Sequence, residues 1–142
     1  MLNDIFCTKI YVINLRRRID RRRVSEKKLA RYGIKYTFFD AIDGNDALYD
    51  DMYEKSNKTL VSRGAMGLVI TYTKILEDAL REMNREKNES KNQMILILED
   101  DISFHKNWEN MLPDITHFNS MDCVWLGANQ YSHTDLQKEQ MD

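Results

Sequence analysis

The stretch MILILEDD, residues 94–101, joins five consecutive apolar residues to three carboxylates. An apolar run of this length without alternation predicts a strand that is buried on both faces, as in a parallel sheet covered by helices. Glu99, Asp100 and Asp101, which we call the acidic cluster, then lie at the carboxyl end of that strand. Ligands bind at this edge in open α/β sheets, so the stretch predicts both the fold class and the place of a site.

The acidic cluster predicts a cation site. Adjacent carboxylates repel one another, and a bound cation relieves that repulsion. Oxygen ligands suit Mg²⁺ or Mn²⁺, which commonly hold substrate phosphates in proteins. If the strand extends to Asp101, the alternation of side chains places Glu99 and Asp101 on one side and turns Asp100 elsewhere. The alternative is an acidic turn in solvent that precedes the next helix.

Composition indicates one folded domain and excludes several classes of protein. The chain has 142 residues, of which 42% are hydrophobic and 10% aromatic, enough for a single core. A formal net charge of −2 argues against a nucleic-acid partner. The two cysteines make neither a disulfide framework nor a zinc site. We find no membrane span and no signal-peptide pattern, so we expect a cytoplasmic protein.

The segments around residues 94–101 predict an α/β fold, with a mainly parallel sheet flanked by helices. A helix is expected from about Ile19 to a stop at Gly33, and a short one ends near Pro113. Segment 45–59 predicts a loop with one helical turn. The order β-α-β-loop-α-β-α-β favours right-handed connections between parallel strands. Strands are expected at Lys9–Leu15, Lys35–Ala41, Gln93–Leu98 and Cys123–Leu126.

A long helix is expected from about Arg63 to Asn84, with Ser62 as its N-cap. Apolar residues recur along it at helical spacing and predict one buried face. Gly64 and Gly67 near its start would let backbone or a ligand approach closely. The residues expected on the buried face are Met66, Val69, Ile70, Thr73, Leu76 and Leu80.

Five stretches, taken together, resemble glycosyltransferase family 25, the lipooligosaccharide and procollagen galactosyltransferase family. Order and spacing agree with that family from about residue 8 to residue 130. The stretches are KIYVINLRRRIDRR (9–22), RYGIKYTFFDAIDG (31–44), SRGAMGLVITYTKILEDAL (62–80), ILILEDDISFHKNW (95–108) and DCVWLGANQ (122–130).

The chain departs from the family pattern at two places. Arg16 stands where the family usually carries Asp, and Thr71-Tyr72 stands where it usually carries Ser-His. Both departures fall near the expected donor site and concern nucleotide-sugar preference. The resemblance implies the N-terminal, nucleotide-sugar-binding part of the family domain, residues 1–131, followed by a polar tail at residues 132–142.

The resemblance implies a GT-A-like fold and a metal-dependent, inverting glycosyltransferase. The donor would be a UDP-sugar, and a hexose such as galactose or glucose would pass to a glycan or protein acceptor, as in lipopolysaccharide biosynthesis. Mn²⁺ or Mg²⁺ would stabilise the charge that gathers on the departing diphosphate. Asp101 and then Glu99 are the expected metal ligands, and Asp100 would contact the ribose or a backbone amide. No residue is assigned as the catalytic base.

Further donor contacts are expected from residues at the ends of predicted elements. Guanidinium groups and helix N-terminal amides both suit phosphate oxygens. The alternative for the arginines is exposure to solvent or pairing with Asp20 and Glu26, which we prefer for Arg22 and Arg23. The expected donor-binding residues are Asn14, Arg16, Arg17, Arg18, Asp43, Gly64 and Asp100, with Arg21 beside the arginines of this group.

A second interpretation belongs to a different class of protein. The chain would be a non-catalytic relative that keeps the nucleotide-sugar-binding fold and acts as a subunit or regulator. The departures at Arg16 and Tyr72 favour this interpretation.

Overall fold

The computed structural model describes residues 9–56, 61–85, 94–104 and residue 123. The chain divides into two units, Met1–Ile102 and Ser103–Asp142, and every described helix and strand belongs to the first. In chain order the elements are β1 (Lys9–Asn14), α1 (Ile19–Arg31), β2 (Thr37–Asp40), a 3₁₀ turn (Ala47–Tyr49), α2 (Asp50–Lys55), α3 (Arg63–Arg85) and β3 (Ile95–Glu99).

The three strands form a parallel sheet in the order β2-β1-β3, which confirms the α/β fold class. Tyr11 of β1 is in register with Thr37 on one side and with Ile97 on the other. Every residue of β1 after Lys9 is buried. The middle of the sheet is therefore β1, and both neighbouring strands run parallel to it.

The expectation that residues 94–98 form a strand buried on both faces is wrong. Strand β3 is only half-buried along its length, because among the described residues it pairs on one side only, with β1. The next predicted strand, Cys123–Leu126, lies outside the described residues except for Cys123, which is exposed. The predicted short helix before Pro113 also lies outside them.

Helix α3 packs on the sheet through a face different from the predicted one. The core cluster consists of Tyr11 and Ile13 from β1 with Ile75 and Ala79 from α3. Exposed positions on α3 include Val69, Thr73, Leu76 and Leu80, and Ile70 is only half-buried. Both rows of residues fit a helical period, so periodicity alone selected the wrong one. Met66 is the one predicted position that is fully buried.

The ends of the long helices are as predicted. Ser62 caps α3, because its Oγ accepts a hydrogen bond of 3.1 Å from the amide of Ala65. Helix α1 ends at Arg31, and Gly33 follows with a positive φ of 61°, the conformation that favours glycine after a helix. Within the described ranges, no helix combines the length and apolar character that a membrane crossing needs.

Residues 45–56, the described part of the predicted loop 45–59, are more helical than predicted. The 3₁₀ turn and α2 together occupy all of residues 47–55, while Leu48 and Met52 remain exposed. These helices carry no buried residue, so they leave no apolar period in the sequence. They are held instead by a cap from Asp46 and by Arg63, which pairs with Asp50 at 2.7 Å.

Two glycines let the loop after β2 lie against the start of α3. A Cβ atom on Gly44 would overlap the carbonyl oxygen of Arg63. A Cβ atom on Gly67 would lie 2.5 Å from the carbonyl oxygen of Ile42 and 2.8 Å from the amide nitrogen of Gly44. Gly64 has open space around it, with Ser62 Oγ at 3.9 Å as the nearest atom. Close backbone approach therefore requires Gly67 but not Gly64.

We expect Gly67→Ala to lower the free energy of unfolding by about 2 kcal/mol, because the added methyl group forces α3 and the loop apart. Urea unfolding followed by circular dichroism measures this loss. Gly64→Ala is the matched control, and it should be neutral or stabilising by up to about 1 kcal/mol, as alanine favours helix. A stabilised Gly67→Ala protein would contradict the close packing of this loop.

Candidate functional site

A cleft of about 190 Å³ lies at the carboxyl edge of the sheet. It is formed by the end of β1, the start of α1, the loop after β2, the start of α3 and the end of β3. The polar residues that line it are Arg17, Arg18, Arg21, Asp43, Asn45, Thr71, Glu99 and Asp100. Gly64 also lines it, whereas Asn14, Arg16 and Asp101 of the predicted site residues do not.

Asp100 is the anchored member of the acidic cluster. Its side chain is only 10% exposed. One carboxylate oxygen accepts a hydrogen bond of 2.7 Å from Asn14 Nδ2, and the other accepts one of 3.1 Å from Arg21 Nη1. The condition for the predicted alternation is not met, because β3 ends at Glu99 and the next two residues form a turn. Asp100 consequently faces the cleft.

Helix α1 also holds the backbone of this turn. Ser25 is fully buried, and its hydroxyl lies 2.7 Å from the carbonyl oxygen of Asp100 and 2.9 Å from that of Arg21. A hydroxyl has one proton to donate, so the two carbonyls share it. Lys28 Nζ donates to the carbonyl oxygen of Ile102 at 2.7 Å. The turn after β3 is therefore fixed to α1 at several points.

The sequence analysis named Arg18 and Arg21 but missed Ser25 and Lys28, through which α1 also holds the site. Arg18, Arg21, Ser25 and Lys28 are spaced three, four and three residues apart, so they share one face of a helix. That row of polar residues is the signal that could have identified the helix face next to the acidic cluster.

Asn14 supports the site from the end of β1. It is 2% exposed, and its Nδ2 also lies 3.1 Å from the carbonyl oxygen of Arg18. Its Oδ1 is buried and has no hydrogen-bond partner in the described part of the chain. A buried polar atom without a partner costs about 1–3 kcal/mol, and such costs are typical of functional sites. Asn14 thus supports the site through its contact with Asp100, although Asn14 does not itself line the cleft.

Glu99 and Asp101 flank the anchored carboxylate. Partial burial of the Glu99 carboxylate in the cleft raises its pKa, and the negative charges of Asp101 and Asp100 raise it further. Asp101 is 60% exposed and lies 3.5 Å from Arg21. No three acidic, histidine or cysteine side chains converge on one point within residues 9–56, 61–85 and 94–104. Any cation here would need ligands from a bound substrate or from water.

The arginines after β1 divide between the cleft and the surface. Arg17 pairs with Asp43 at 2.7 Å, and this pair, with the Asn45 amide, holds the pKa of Asp43 below its usual range. Arg18 pairs with Asp20 at 2.6 Å, and its hydrogen bond holds the pKa of Asp20 far below the usual range. Both arginines line the cleft, yet both are paired within the chain. The Asp43 side chain also accepts from the Asn45 amide, as expected of a turn residue.

The other arginines of this run lie on the surface. Arg16 is 87% exposed and pairs with Asp40 at 2.8 Å, outside the cleft. Arg22 lies 3.6 Å from Glu26 one helical turn away and stacks over the ring of Phe38 at 4.1 Å. The pairing interpretation preferred for Arg22 is therefore confirmed.

The family comparison agrees with the resemblance carried by the five sequence stretches. The family model "Glycosyltransferase family 25 (LPS biosynthesis protein)" matches residues 7–142. The chain belongs to glycosyltransferase family 25.

Curated relatives of this family 25 chain come from a virus and from insects. A protein of Acanthamoeba polyphaga mimivirus, named as a glycosyltransferase, is 31% identical over 112 residues, covering 75% of this chain and 32% of the relative. A glycosyltransferase 25 family member of Aedes aegypti is 28% identical over 144 residues, covering 89% and 22%. One of Anopheles gambiae is 25% identical over 141 residues, with the same coverage. The chain thus spans 22% to 32% of the length of these relatives.

No solved structure is similar enough to this family 25 chain to count as a match.

The Thr71-Tyr72 departure from the family 25 pattern has structural roles here. Thr71 is fully buried, donates to the Gly67 carbonyl at 2.7 Å and accepts from the Ile42 amide at 2.9 Å. Tyr72 packs against the core cluster. Thr71 thereby ties the loop after β2 to α3, next to the glycine contact.

Proposed function

We propose that this chain is the nucleotide-sugar-binding part of a metal-dependent glycosyltransferase with a GT-A-like fold. The donor is a UDP-sugar, and the transferred hexose, such as galactose or glucose, goes to a glycan or protein acceptor. One observation carries the proposal: a single cleft brings three arginines close to the acidic cluster at the ligand-binding edge of a parallel sheet. Guanidinium groups suit a diphosphate, and carboxylates suit the divalent cation that accompanies it.

The carboxylates present fit Mn²⁺ or Mg²⁺. Such ions are commonly held by one or two carboxylates together with substrate phosphates, which agrees with the small number of ligands this cleft offers. Glu99 and Asp101 would hold the cation, and Asp100 would remain bonded to Asn14. When bound, the cation stabilises the negative charge that the departing diphosphate acquires.

The chain's own residues would bind and orient the donor. Arg17 and Arg18 lie beside the cleft and would exchange their carboxylate partners, Asp43 and Asp20, for phosphate oxygens. Gly64 leaves open space at the start of α3, where helix amides favour an anion. Inverting transfer also needs a base for the acceptor hydroxyl, and we assign no described residue to that role.

Several finer points stay predictions. They are a role in lipopolysaccharide biosynthesis, a cytoplasmic location, a ribose contact by Asp100, and the division into residues 1–131 and 132–142.

A second candidate function is nucleotide-sugar binding without catalysis, as a subunit or regulator. The observation that favours it is the change at Arg16 and Tyr72, since Arg16 forms a surface pair with Asp40 and Tyr72 packs on the core. Neither side chain therefore supplies a polar group to the cleft lining.

UDP release from UDP-glucose and UDP-galactose in the presence of Mn²⁺ distinguishes the two candidates. We expect the 142-residue chain to release UDP, because the donor can be hydrolysed by water when the acceptor is absent. Binding of UDP and Mn²⁺ in calorimetry without release would support the non-catalytic candidate. Absence of both binding and release would contradict both candidates.

Two double variants test the donor contacts in the same calorimetric titration. Arg17→Ala with Arg18→Ala should weaken UDP binding by roughly tenfold or more, because charge-assisted hydrogen bonds to phosphate are lost. Arg22→Ala with Arg23→Ala removes the same charge away from the cleft and should change binding by less than about twofold. Equal losses in the two variants would contradict specific contacts by Arg17 and Arg18.

A further inference from the structure

Arg21 lies between two carboxylates of the acidic cluster. Its Nη1 atom is 3.1 Å from Asp100 Oδ1 and 3.5 Å from Asp101 Oδ2, so one nitrogen contacts both side chains. Adjacent carboxylates need a compensating positive charge, and within the described residues Arg21 supplies it to both. Arg21 thereby fills the role that the sequence assigned to a metal ion.

The two ends of this contact differ in freedom. Asp100 is 10% exposed and is held by Asn14 through its side chain and by Ser25 through its backbone. Arg21 lines the cleft and is 42% exposed, and its long side chain has several rotatable bonds. The carboxylate is therefore the fixed partner, and the guanidinium is the partner that can leave.

The guanidinium group of Arg21 and a divalent cation would compete for the carboxylate oxygens of the acidic cluster. Like charges repel, so a cation that approaches the cluster must displace Arg21 or lie beside its positive charge. A diphosphate in the same cleft changes this balance, because phosphate oxygens offer the displaced guanidinium a bidentate partner. Cation and diphosphate should consequently help each other to bind.

We propose that Arg21 is the resident counter-cation of the acidic cluster in the nucleotide-free protein, and that it moves to the donor's diphosphate when a divalent cation takes its place. The inference rests on the proposed function, since it takes the cleft as the site of a diphosphate and a cation. Arg21 thus suppresses binding of the cation alone and couples it to the arrival of the nucleotide.

Titration with Mn²⁺ alone, without nucleotide, tests this role directly. Free Mn²⁺ is followed by its electron paramagnetic resonance signal, using the full chain. Arg21→Gln should bind Mn²⁺ roughly tenfold tighter than wild type, because a neutral side chain no longer competes for the carboxylates. Arg21→Lys keeps the positive charge and should resemble wild type. Arg23→Gln removes an equal charge from an exposed position of α1 and should change Mn²⁺ affinity by less than about twofold.

The same proteins are then titrated with UDP at saturating Mn²⁺, where Arg21→Gln should bind UDP more weakly than wild type. One outcome overturns the role of Arg21 but leaves the proposed function standing. In that outcome wild type binds UDP in the presence of Mn²⁺, but Arg21→Gln binds Mn²⁺ without nucleotide no more tightly than wild type does. If no protein binds Mn²⁺ even with UDP, both are overturned. Arg21→Met carries the same expectation as the glutamine variant and replaces it if that variant does not fold.

Discussion

Asp101→Asn should lose most of the thermal stabilisation that Mn²⁺ and UDP together give to the wild-type chain. Ligands at a hundredfold excess over the dissociation constant stabilise a native state by about 2.7 kcal/mol, or roughly 5–10 °C in a protein of this size. A neutral amide is a poorer ligand than a carboxylate and loses the charge attraction to the cation. The measurement is a thermal melt of both proteins, with and without Mn²⁺ plus UDP.

Without ligands, Asp101→Asn should fold as wild type does or be slightly more stable. The substitution relieves repulsion within the acidic cluster. The contact it weakens is a 3.5 Å pair between the exposed Asp101 and the half-exposed Arg21, and such pairs contribute little. A change in the ligand-induced shift can therefore be assigned to binding and not to a damaged fold.

Asp51→Asn is the matched control, because it removes a carboxylate from an exposed position of α2 that does not line the cleft. The melting temperature of this control should rise as much as that of wild type when Mn²⁺ and UDP are added. If Asp101→Asn also shifts as much, Asp101 is not a ligand, and Glu99→Gln in the same melt tests the other candidate. If the melting temperature of the wild type does not shift when Mn²⁺ and UDP are added, this chain alone does not form the donor site. The non-catalytic candidate is then also contradicted for UDP as its nucleotide.

The sheet edge and the residues that meet there could be predicted from the sequence. Two features of the sequence placed the carboxylates and the arginines at one edge of the sheet. An unbroken apolar run ends in the carboxylates, and the first strand ends just before the run of arginines. Parallel strands bring their carboxyl ends to the same edge of the sheet. The parallel order of the strands is therefore enough to bring together the polar residues that follow them. Those at the cleft are Arg17, Arg18, Asp43 and Asp100. This part of the prediction depended on topology alone.

The partner of each side chain at that edge could not be predicted in the same way. The contact between Asn14 and Asp100 spans 86 positions, and the contact between Ser25 and Asp100 spans 75. Such contacts depend on where β3 ends and how its turn lies on α1, whereas the alternation rule applies only inside a strand. The strand stops one residue before Asp100, and this difference is enough to direct Asp100 toward the cleft.

The face of α3 was mispredicted for a different physical reason. The helix has apolar residues on two faces, and a helical period fits both of them. Contact with the sheet is made by the row that contains Ile75 and Ala79, and the fully buried Thr71 of the same helix accepts a hydrogen bond from the Ile42 amide. Leu76 and Leu80 remain on the outside. The hydrogen bond of Thr71 and the close backbone contact of Gly67 hold this side of α3 against the loop after β2, and a count of apolar residues does not register either contact.

Neighbouring substitutions on α3 should separate the two faces by several kcal/mol. Ile75 is fully buried in the core cluster with Tyr11 and Ile13, so Ile75→Ala should lower the free energy of unfolding by about 3–4 kcal/mol through lost burial and the cavity it leaves. Leu76 is 50% exposed, so Leu76→Ala should cost less than about 1 kcal/mol. Both changes end in alanine within one helix, which keeps the differences in helix propensity small. Urea unfolding of the two variants and wild type measures the contrast. Equal losses would show that both faces of α3 are covered in solution, and a larger loss for Leu76→Ala would place the predicted face, not the observed one, against the sheet.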